Sequence, residues 1–266
     1  METIFIIDYI ALGLLVGFMA GLLGVGGGGI MVPIFAMLFA MQGFESEGIM
    51  HMALGTSMAT IIFTSFSSMR AHYKKDNIEV PMALRIAIGV LAGTFAATFV
   101  ASYLKGLYLA LFFSAFMSYV AYKMFKKTHY YHNVNPHNIV GNIASGTFIG
   151  AISALVSIGG GSLSVPYLMH QNFDIKRAIG TSAAIGFPIA ISGTLGYLIN
   201  GWNHTDGDQY TFGYIYLPAV ILVSISSAFT APLGVKYATA LSTDKLKKVF
   251  GLLAVALSIK MLFSVI

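Results

Sequence analysis

The chain has no cysteine and few charged residues. The lack of cysteine among its 266 residues excludes disulfides, thiolate nucleophiles and cysteine-ligated metal sites. Charged residues make up only 9% of the chain, against about 25% in an ordinary soluble domain, whereas hydrophobic residues make up 57%. A chain with so little polar surface cannot face water on all sides. The composition therefore predicts an integral membrane protein and leaves no segment for a soluble catalytic domain.

Apolar runs recur along the whole chain, and most approach or exceed the roughly 18 residues that mark a membrane helix. They lie approximately at 4–23, 30–42, 49–69, 80–102, 106–125, 138–158, 162–171, 177–199, 211–235 and 245–265. The N-terminal run has no basic residue before it and no small-residue cleavage site, so we expect it to remain as the first membrane segment. A polar stretch separates the two halves of the chain. We therefore predict a first membrane repeat at 1–128, a cytoplasmic linker at 129–137 and a second repeat at 138–266.

Two glycine-rich segments lie in corresponding places of the two halves, which indicates a duplication. A shift of 133 residues superposes Gly26-Gly27-Gly28 on Gly159-Gly160-Gly161, and Pro33 on Pro166. Further along each half, Gly55-Thr56-Ser57 corresponds to Gly180-Thr181-Ser182. Matched, interrupted hydrophobic segments are typical of transporters whose substrate site lies between two repeats.

The positive charges of equivalent loops are reversed between the halves. Segment 70–79 contains three Lys or Arg residues and its counterpart 200–211 contains none, whereas 43–50 contains none and its counterpart 172–177 contains two. By the positive-inside rule, equivalent loops lie on opposite sides of the membrane. We therefore predict an all-α membrane protein with two inverted repeats, each having a glycine-interrupted first hairpin plus about three transmembrane helices. Both termini are predicted outside.

The glycine segments favour an anion site. Broken backbone at membrane depth must line a protein cavity, because no lipid group satisfies free N–H groups. The N–H groups at a helix start, with the positive end of the helix dipole, bind anions. We place Pro33 and Pro166 in the first turns of the restarting helices. The predicted substrate-binding residues are Gly26, Gly27, Gly28, Gly29, Thr56, Ser57, Gly159, Gly160, Gly161, Ser162, Thr181 and Ser182.

Other readings of these motifs were weighed. Close helix packing accounts for Gly13, Gly17, Gly21, Gly89 and Gly93, and it is the competing explanation for the longer glycine runs. The first run also fits the dinucleotide pattern G-x-G-x-x-G, but a membrane helix precedes it instead of a strand. The polar residues of the first half are fewer than those of the second, so we expect an asymmetric site. We predict no catalytic residue, metal site, cofactor or nucleic-acid partner.

The paired glycine segments ending in Val-Pro, each followed by Ala-x-Gly-Thr-Ser, resemble the TauE/SafE family of sulfite and organosulfonate transporters. The resemblance spans nearly the whole chain and implies an inner-membrane carrier for small sulfur-containing anions such as sulfite, sulfoacetate or related sulfonates. Carried over by position, it implicates Gly26 to Gly29, Pro33, Gly55 to Ser57, Gly159 to Gly161, Pro166 and Gly180 to Ser182.

The functional hypothesis is a secondary transporter working by alternating access in the lipid bilayer. Because the sequence has no ATP-binding motif, we expect an ion gradient of H⁺ or Na⁺ to supply the energy. A passive anion channel of the same architecture is the main alternative; a metal-cation carrier and a membrane-embedded enzyme are weaker ones. The sequence leaves open which anion moves, in which direction, and in what oligomeric state.

Overall fold

A computed structural model describes residues 3–23, 27–125, 138–202, 210–238 and 243–263. These residues form helices α1 (Thr3–Leu23), α2 (Gly28–Met41), α3 (Ser46–Tyr73), α4 (Val80–Tyr103), α5 (Gly106–Phe125), α6 (Ile139–Val156), α7 (Gly161–His170), α8 (Ile175–Gly201), α9 (Leu217–Ala238) and α10 (Thr243–Phe263), with a hairpin of strands β1 (Thr211–Phe212) and β2 (Ile215–Tyr216). The predicted linker 129–137 and the site residue Gly26 lie outside the described residues.

Six of these helices are long and apolar enough to cross a membrane: α1, α3, α4, α6, α8 and α9. Their outward faces are apolar as well. Leu84 and Ile88 on α4 and Phe148 on α6 are each at least 60% exposed, which is costly in water and favourable in lipid. The predicted helical class and the multi-pass membrane character are therefore confirmed for the part of the chain that the structure describes.

The predicted run 211–235 begins too early. Residues 211–216 form a two-stranded antiparallel hairpin in which Thr211 pairs with Tyr216 and Phe212 with Ile215, and α9 begins only at Leu217. Hydropathy does not distinguish the two, because the hairpin is rich in the aromatic and β-branched residues that favour strands. The hairpin folds back into the bundle, and Tyr214, Ile215 and Tyr216 are buried.

Glycine stripes let two pairs of helices pack at very short distance. On α1, a Cβ added at Gly17 would lie 2.2 Å from the Ser227 carbonyl oxygen of α9. On α4, a Cβ added at Gly93 would lie 2.1 Å from the Thr147 carbonyl oxygen of α6. Neighbouring glycines repeat these close approaches, and Gly13, Gly21 and Gly89 are among them. The packing explanation for the five glycines of this group is confirmed.

The helix contacts of the two halves match. Helix α1 packs on α9, and α6 packs on α4; α3 packs on α8 and α5 on α10; α2 packs on α3, and α7 on α8. Helices α3 and α8 have the most buried segments of the six candidate spans. The motifs that the sequence analysis singled out on these two helices therefore lie inside the bundle.

Candidate anion site at the two helix breaks

The two short helices, α2 and α7, begin in the same unusual way. The residue before each, Gly27 or Gly160, has a left-handed backbone with φ of 78°, and neither helix has a side-chain cap. By contrast, the Asp174 side chain caps α8 by accepting from the Lys176 N–H at 2.9 Å. A positive φ favours glycine, which has no Cβ to clash. The glycine runs therefore break the helical path, as the sequence indicated.

The first amides of these helices have no protein acceptor among the described residues. The Gly27 carbonyl accepts from Ile30 and Met31, and the Gly160 carbonyl accepts from Leu163 and Ser164. The amides before those donors, of Gly28, Gly29, Gly161 and Ser162, form no such bond. Each start therefore offers two N–H groups at the positive end of a helix dipole.

The prolines lie deeper than predicted. Pro33 and Pro166 are each the sixth residue of their helix, because α2 begins at Gly28 and α7 at Gly161. The expectation that they occupy the first turn is wrong. A proline at this position has no N–H for the carbonyl four residues earlier, that of Gly29 or Ser162. Each break therefore also exposes a carbonyl that lacks its usual helical partner.

The two breaks touch each other beside α3. A Cβ added at Gly28 would lie 1.6 Å from the Ser157 carbonyl oxygen and 2.7 Å from Ile61 Cδ1. Ser157, which ends α6 in a left-handed conformation with φ of 46°, donates its hydroxyl to the Leu54 carbonyl at 2.7 Å. Leu54 and Ile61 lie on either side of the midpoint of α3. The start of α2 and the second break therefore meet near the middle of that helix.

Two buried hydroxyls lie in this region without a hydrogen-bond partner. Ser57 is fully buried, and its Oγ has no protein acceptor or donor. It lies three residues after Leu54 and four before Ile61, so it shares the face of α3 that contacts both breaks. Ser162, in the first turn of α7, is 7% exposed, and its Oγ has no partner either. A buried hydroxyl without a partner is costly, so these two are candidate ligand contacts.

The second half contains a serine pair that the first half lacks. Ser164 Oγ donates to the Gly160 carbonyl at 2.8 Å and lies 2.7 Å from Ser182 Oγ. At the position equivalent to Ser164 the first half has Met31, a fully buried thioether. Ser57, the equivalent of Ser182, therefore has no matching hydroxyl, which makes the two halves of the region asymmetric.

The threonines of the Gly-Thr-Ser motifs each hold a loop. Thr56 Oγ1 accepts from the Tyr216 N–H at 3.0 Å, and Thr181 Oγ1 accepts from the Glu79 N–H at 2.9 Å. We call residues 214–216 the outer loop and residues 77–79 the inner loop, after their predicted sides. The role of these hydroxyls in substrate contact stays a prediction; the structure gives them a loop to hold.

The glycines of the same motifs allow the loops to approach. A Cβ added at Gly55 would lie 2.3 Å from the Tyr214 carbonyl oxygen, and one added at Gly180 would lie 2.3 Å from the Asn77 carbonyl oxygen. In both halves the loop carbonyl meets the glycine, and the amide two residues later meets the threonine. The sequence contains both motifs, but nothing in it shows which segments pack on them.

The loops are fastened further by different chemistry. Glu79 of the inner loop forms an ion pair with Arg177 of α8, with 3.1 Å between Oε2 and Nη1. Tyr214 of the outer loop stacks on His51 of α3, with ring centroids 5.0 Å apart. Burial raises the pKa of the Tyr214 phenol, so this ring is uncharged at neutral pH. The inner contact is ionic and partly exposed, whereas the outer one is aromatic and buried.

The interior of the bundle is electrically neutral. Every Lys, Arg, Asp and Glu whose burial is described is exposed or only partly buried. This group includes Arg85, Lys123 and Lys260, for which the sequence analysis preferred a position near the membrane boundary. Within the described ranges, no three His, Asp or Glu side chains lie close enough together to hold a metal ion. The region at the breaks therefore contains hydroxyls, amides and carbonyls as its polar groups.

Comparisons with known proteins identify the family. The profile of the family described as "Sulfite exporter TauE/SafE" matches residues 9–261. A probable membrane transporter protein of Haemophilus influenzae is 36% identical over 97% of this chain and 98% of its own length. A probable membrane transporter protein of Methanocaldococcus jannaschii is 27% identical over 90% of this chain and 88% of its own. No solved structure matches. The chain therefore belongs to the TauE/SafE family of membrane transporters.

Proposed function

We propose that the protein is a secondary transporter that moves a small sulfur-containing anion, such as sulfite, sulfoacetate or a related organosulfonate, across the inner membrane. The observation that carries this proposal is the meeting of two uncapped helix starts beside buried, unpartnered hydroxyls. Amides and hydroxyls are the donors that an oxyanion accepts from, and the dipoles of both helices favour negative charge. The family description supplies the sulfur chemistry.

The depth of the region supports a transport site. The contact between Gly28 and Ser157 lies beside the middle of α3, a helix of 28 residues. Unsatisfied backbone is tolerated at such depth where it lines a cavity or binds a ligand. An anion bound there would be about equally far from both membrane faces, as alternating access requires.

The matched helix contacts support two repeats. Exchanging each of α1 to α5 with α6 to α10 turns every main packing pair into another observed pair. Together with the reversed loop charges, this favours repeats 1–128 and 138–266 of opposite orientation, with both termini outside. Rocking of one repeat against the other would then expose the site to each side in turn.

The inner and outer loops are suited to act as gates. Each packs on the Gly-Thr pair that directly precedes a candidate site serine, Ser57 or Ser182. The charge pattern places the inner loop on the cytoplasmic side and the outer loop on the exterior side. Release of one loop while the other stays docked would open the site to one side only, which is what a carrier needs and a channel does not.

Accumulation against a gradient distinguishes the carrier from a passive anion channel. Purified protein in proteoliposomes is given labelled sulfite with an imposed H⁺ gradient, with an imposed Na⁺ gradient, and with neither. A carrier coupled to one ion concentrates sulfite inside only under that ion's gradient. Equilibration to equal concentrations under all three conditions would establish the channel instead, and uptake of metal cations but not sulfite would favour a cation carrier.

A further inference from the structure

We propose that the site selects monoanions: hydrogensulfite and alkanesulfonates bind, and the dianions sulfate and sulfite are excluded. This inference rests on the proposed function and specifies the substrate of the same site. It follows from the balance of charge at the helix breaks and from the polar groups that are buried there.

The positive charge available at the breaks amounts to about one unit. Each helix start contributes roughly half an elementary charge, and the starts of α2 and α7 are the two that meet the region. No described Lys or Arg is buried, and the undescribed segment 24–26 contains only Gly and Val. Two half charges match one negative charge. A second negative charge on the ligand has no counter-charge.

The buried hydroxyls make the region a built site and not merely two helix ends. Ser57 is fully buried and Ser162 is 93% buried, and neither hydroxyl has a protein partner. Ser57 shares its face of α3 with the residues that touch both breaks. Both hydroxyls are neutral, so they orient an oxyanion without adding to its charge compensation.

The carbonyl groups at the breaks oppose a second negative charge. The Ser157 carbonyl oxygen faces Gly28, the first residue of α2. Pro33 and Pro166 remove the helical partner from the carbonyls of Gly29 and Ser162. The cost of taking an ion out of water rises with the square of its charge, so a dianion loses four times as much solvation as a monoanion of equal size. Carbonyl dipoles increase that difference.

The titratable side chains on the central helices do not change this balance. His51 on α3 has its Nε2 between the carbonyls of Ala101 and Leu104, at 3.1 and 3.0 Å. Tyr197 on α8 donates its hydroxyl to the Ala154 carbonyl at 2.9 Å. His72, near the C-terminal end of α3, is the remaining buried imidazole on these helices.

The test compares anions of fixed and variable charge in proteoliposomes that contain the full chain. Methanesulfonate is a monoanion throughout the physiological pH range, sulfate is a dianion, and hydrogensulfite loses its proton close to neutral pH. We measure labelled uptake of sulfite and of methanesulfonate at mildly acidic, neutral and mildly alkaline pH. Unlabelled sulfate and unlabelled methanesulfonate then compete with each.

We expect the ratio of sulfite uptake to methanesulfonate uptake to fall as the pH rises, following the hydrogensulfite fraction. The ratio removes any effect of pH on the protein itself. Sulfate should compete at least tenfold more weakly than methanesulfonate, a difference of about 1.4 kcal/mol. The Ser57→Ala variant should weaken competition by methanesulfonate, and the matched Ser65→Ala variant, whose hydroxyl donates to Ile61 within α3, should not.

Two kinds of failure are distinguishable. A constant uptake ratio, or sulfate competing as well as methanesulfonate, overturns monoanion selection and leaves the sulfur-anion transporter intact. If neither sulfite nor methanesulfonate is taken up by protein shown to be folded by its thermal unfolding transition, the proposed function fails together with the inference.

Discussion

The contact between the two helix breaks leaves no room for a side chain at Gly28, so Gly28→Ala is a sharp test of the site. The added Cβ would lie 1.6 Å from the Ser157 carbonyl oxygen, about 1.8 Å short of ordinary contact. The clashing atom is backbone, and Ser157 is itself bound to Leu54, so it cannot rotate away. Overpacking of this kind costs about 1–3 kcal/mol, and the start of α2 must shift by more than 1 Å.

We expect Gly28→Ala to lower the thermal unfolding temperature and to reduce sulfite uptake at least tenfold, because the shift separates the amides of α2 from the rest of the site. Gly29→Ala should have a smaller effect, since its Cβ meets the flexible end of Met117 at 3.3 Å. Gly48→Ala is the matched control: nothing lies within 4 Å of its Cβ. Wild-type uptake and stability in Gly28→Ala would refute the contact on which the site depends.

Three further substitutions test the polar groups around the breaks. Ser57→Ala should raise the half-saturating anion concentration at least tenfold, since a hydrogen bond to a charged group contributes about 1.5–3 kcal/mol; an unchanged value would make this hydroxyl structural. Thr181→Val leaves the Glu79 amide without its acceptor, so thermal stability should fall by about 1–3 kcal/mol, whereas Thr194→Val, whose hydroxyl bonds only within α8, should fall less. Arg177→Gln should cost under about 1 kcal/mol and lose even that effect at high salt, because the ion pair is partly exposed; a large, salt-independent loss would contradict this.

Much of the architecture could be predicted from the sequence because hydropathy and glycine have strong local consequences. The helix break before Gly28 and that before Gly161 are written in runs of glycine that cannot continue a helix cheaply. The stripe that includes Gly13 and Gly17 likewise required close packing in the membrane. These features depend on the residues themselves and little on what surrounds them.

The features that could not be predicted depend on long-range contacts. The hairpin at 211–216 is as apolar as a membrane helix, and only its packing on Gly55 explains why it stays extended. The motif at Thr56 and Thr181 was assigned to the substrate because the sequence cannot show that a loop amide reaches each hydroxyl. The prolines were misplaced by one turn because a glycine run does not reveal at which glycine the helix restarts.

The central claim is that both helix breaks line one anion site, and thiol protection tests it most directly. The chain has no cysteine, so Ser57→Cys and Ser162→Cys each introduce a single thiol without background. Alkylation by iodoacetamide is followed in proteoliposomes with and without methanesulfonate, and Gly48→Cys serves as the control. The account predicts that methanesulfonate slows alkylation at both serine positions and leaves Gly48→Cys unaffected. Alkylation of Ser57→Cys and Ser162→Cys at the same rate with and without the anion would contradict it.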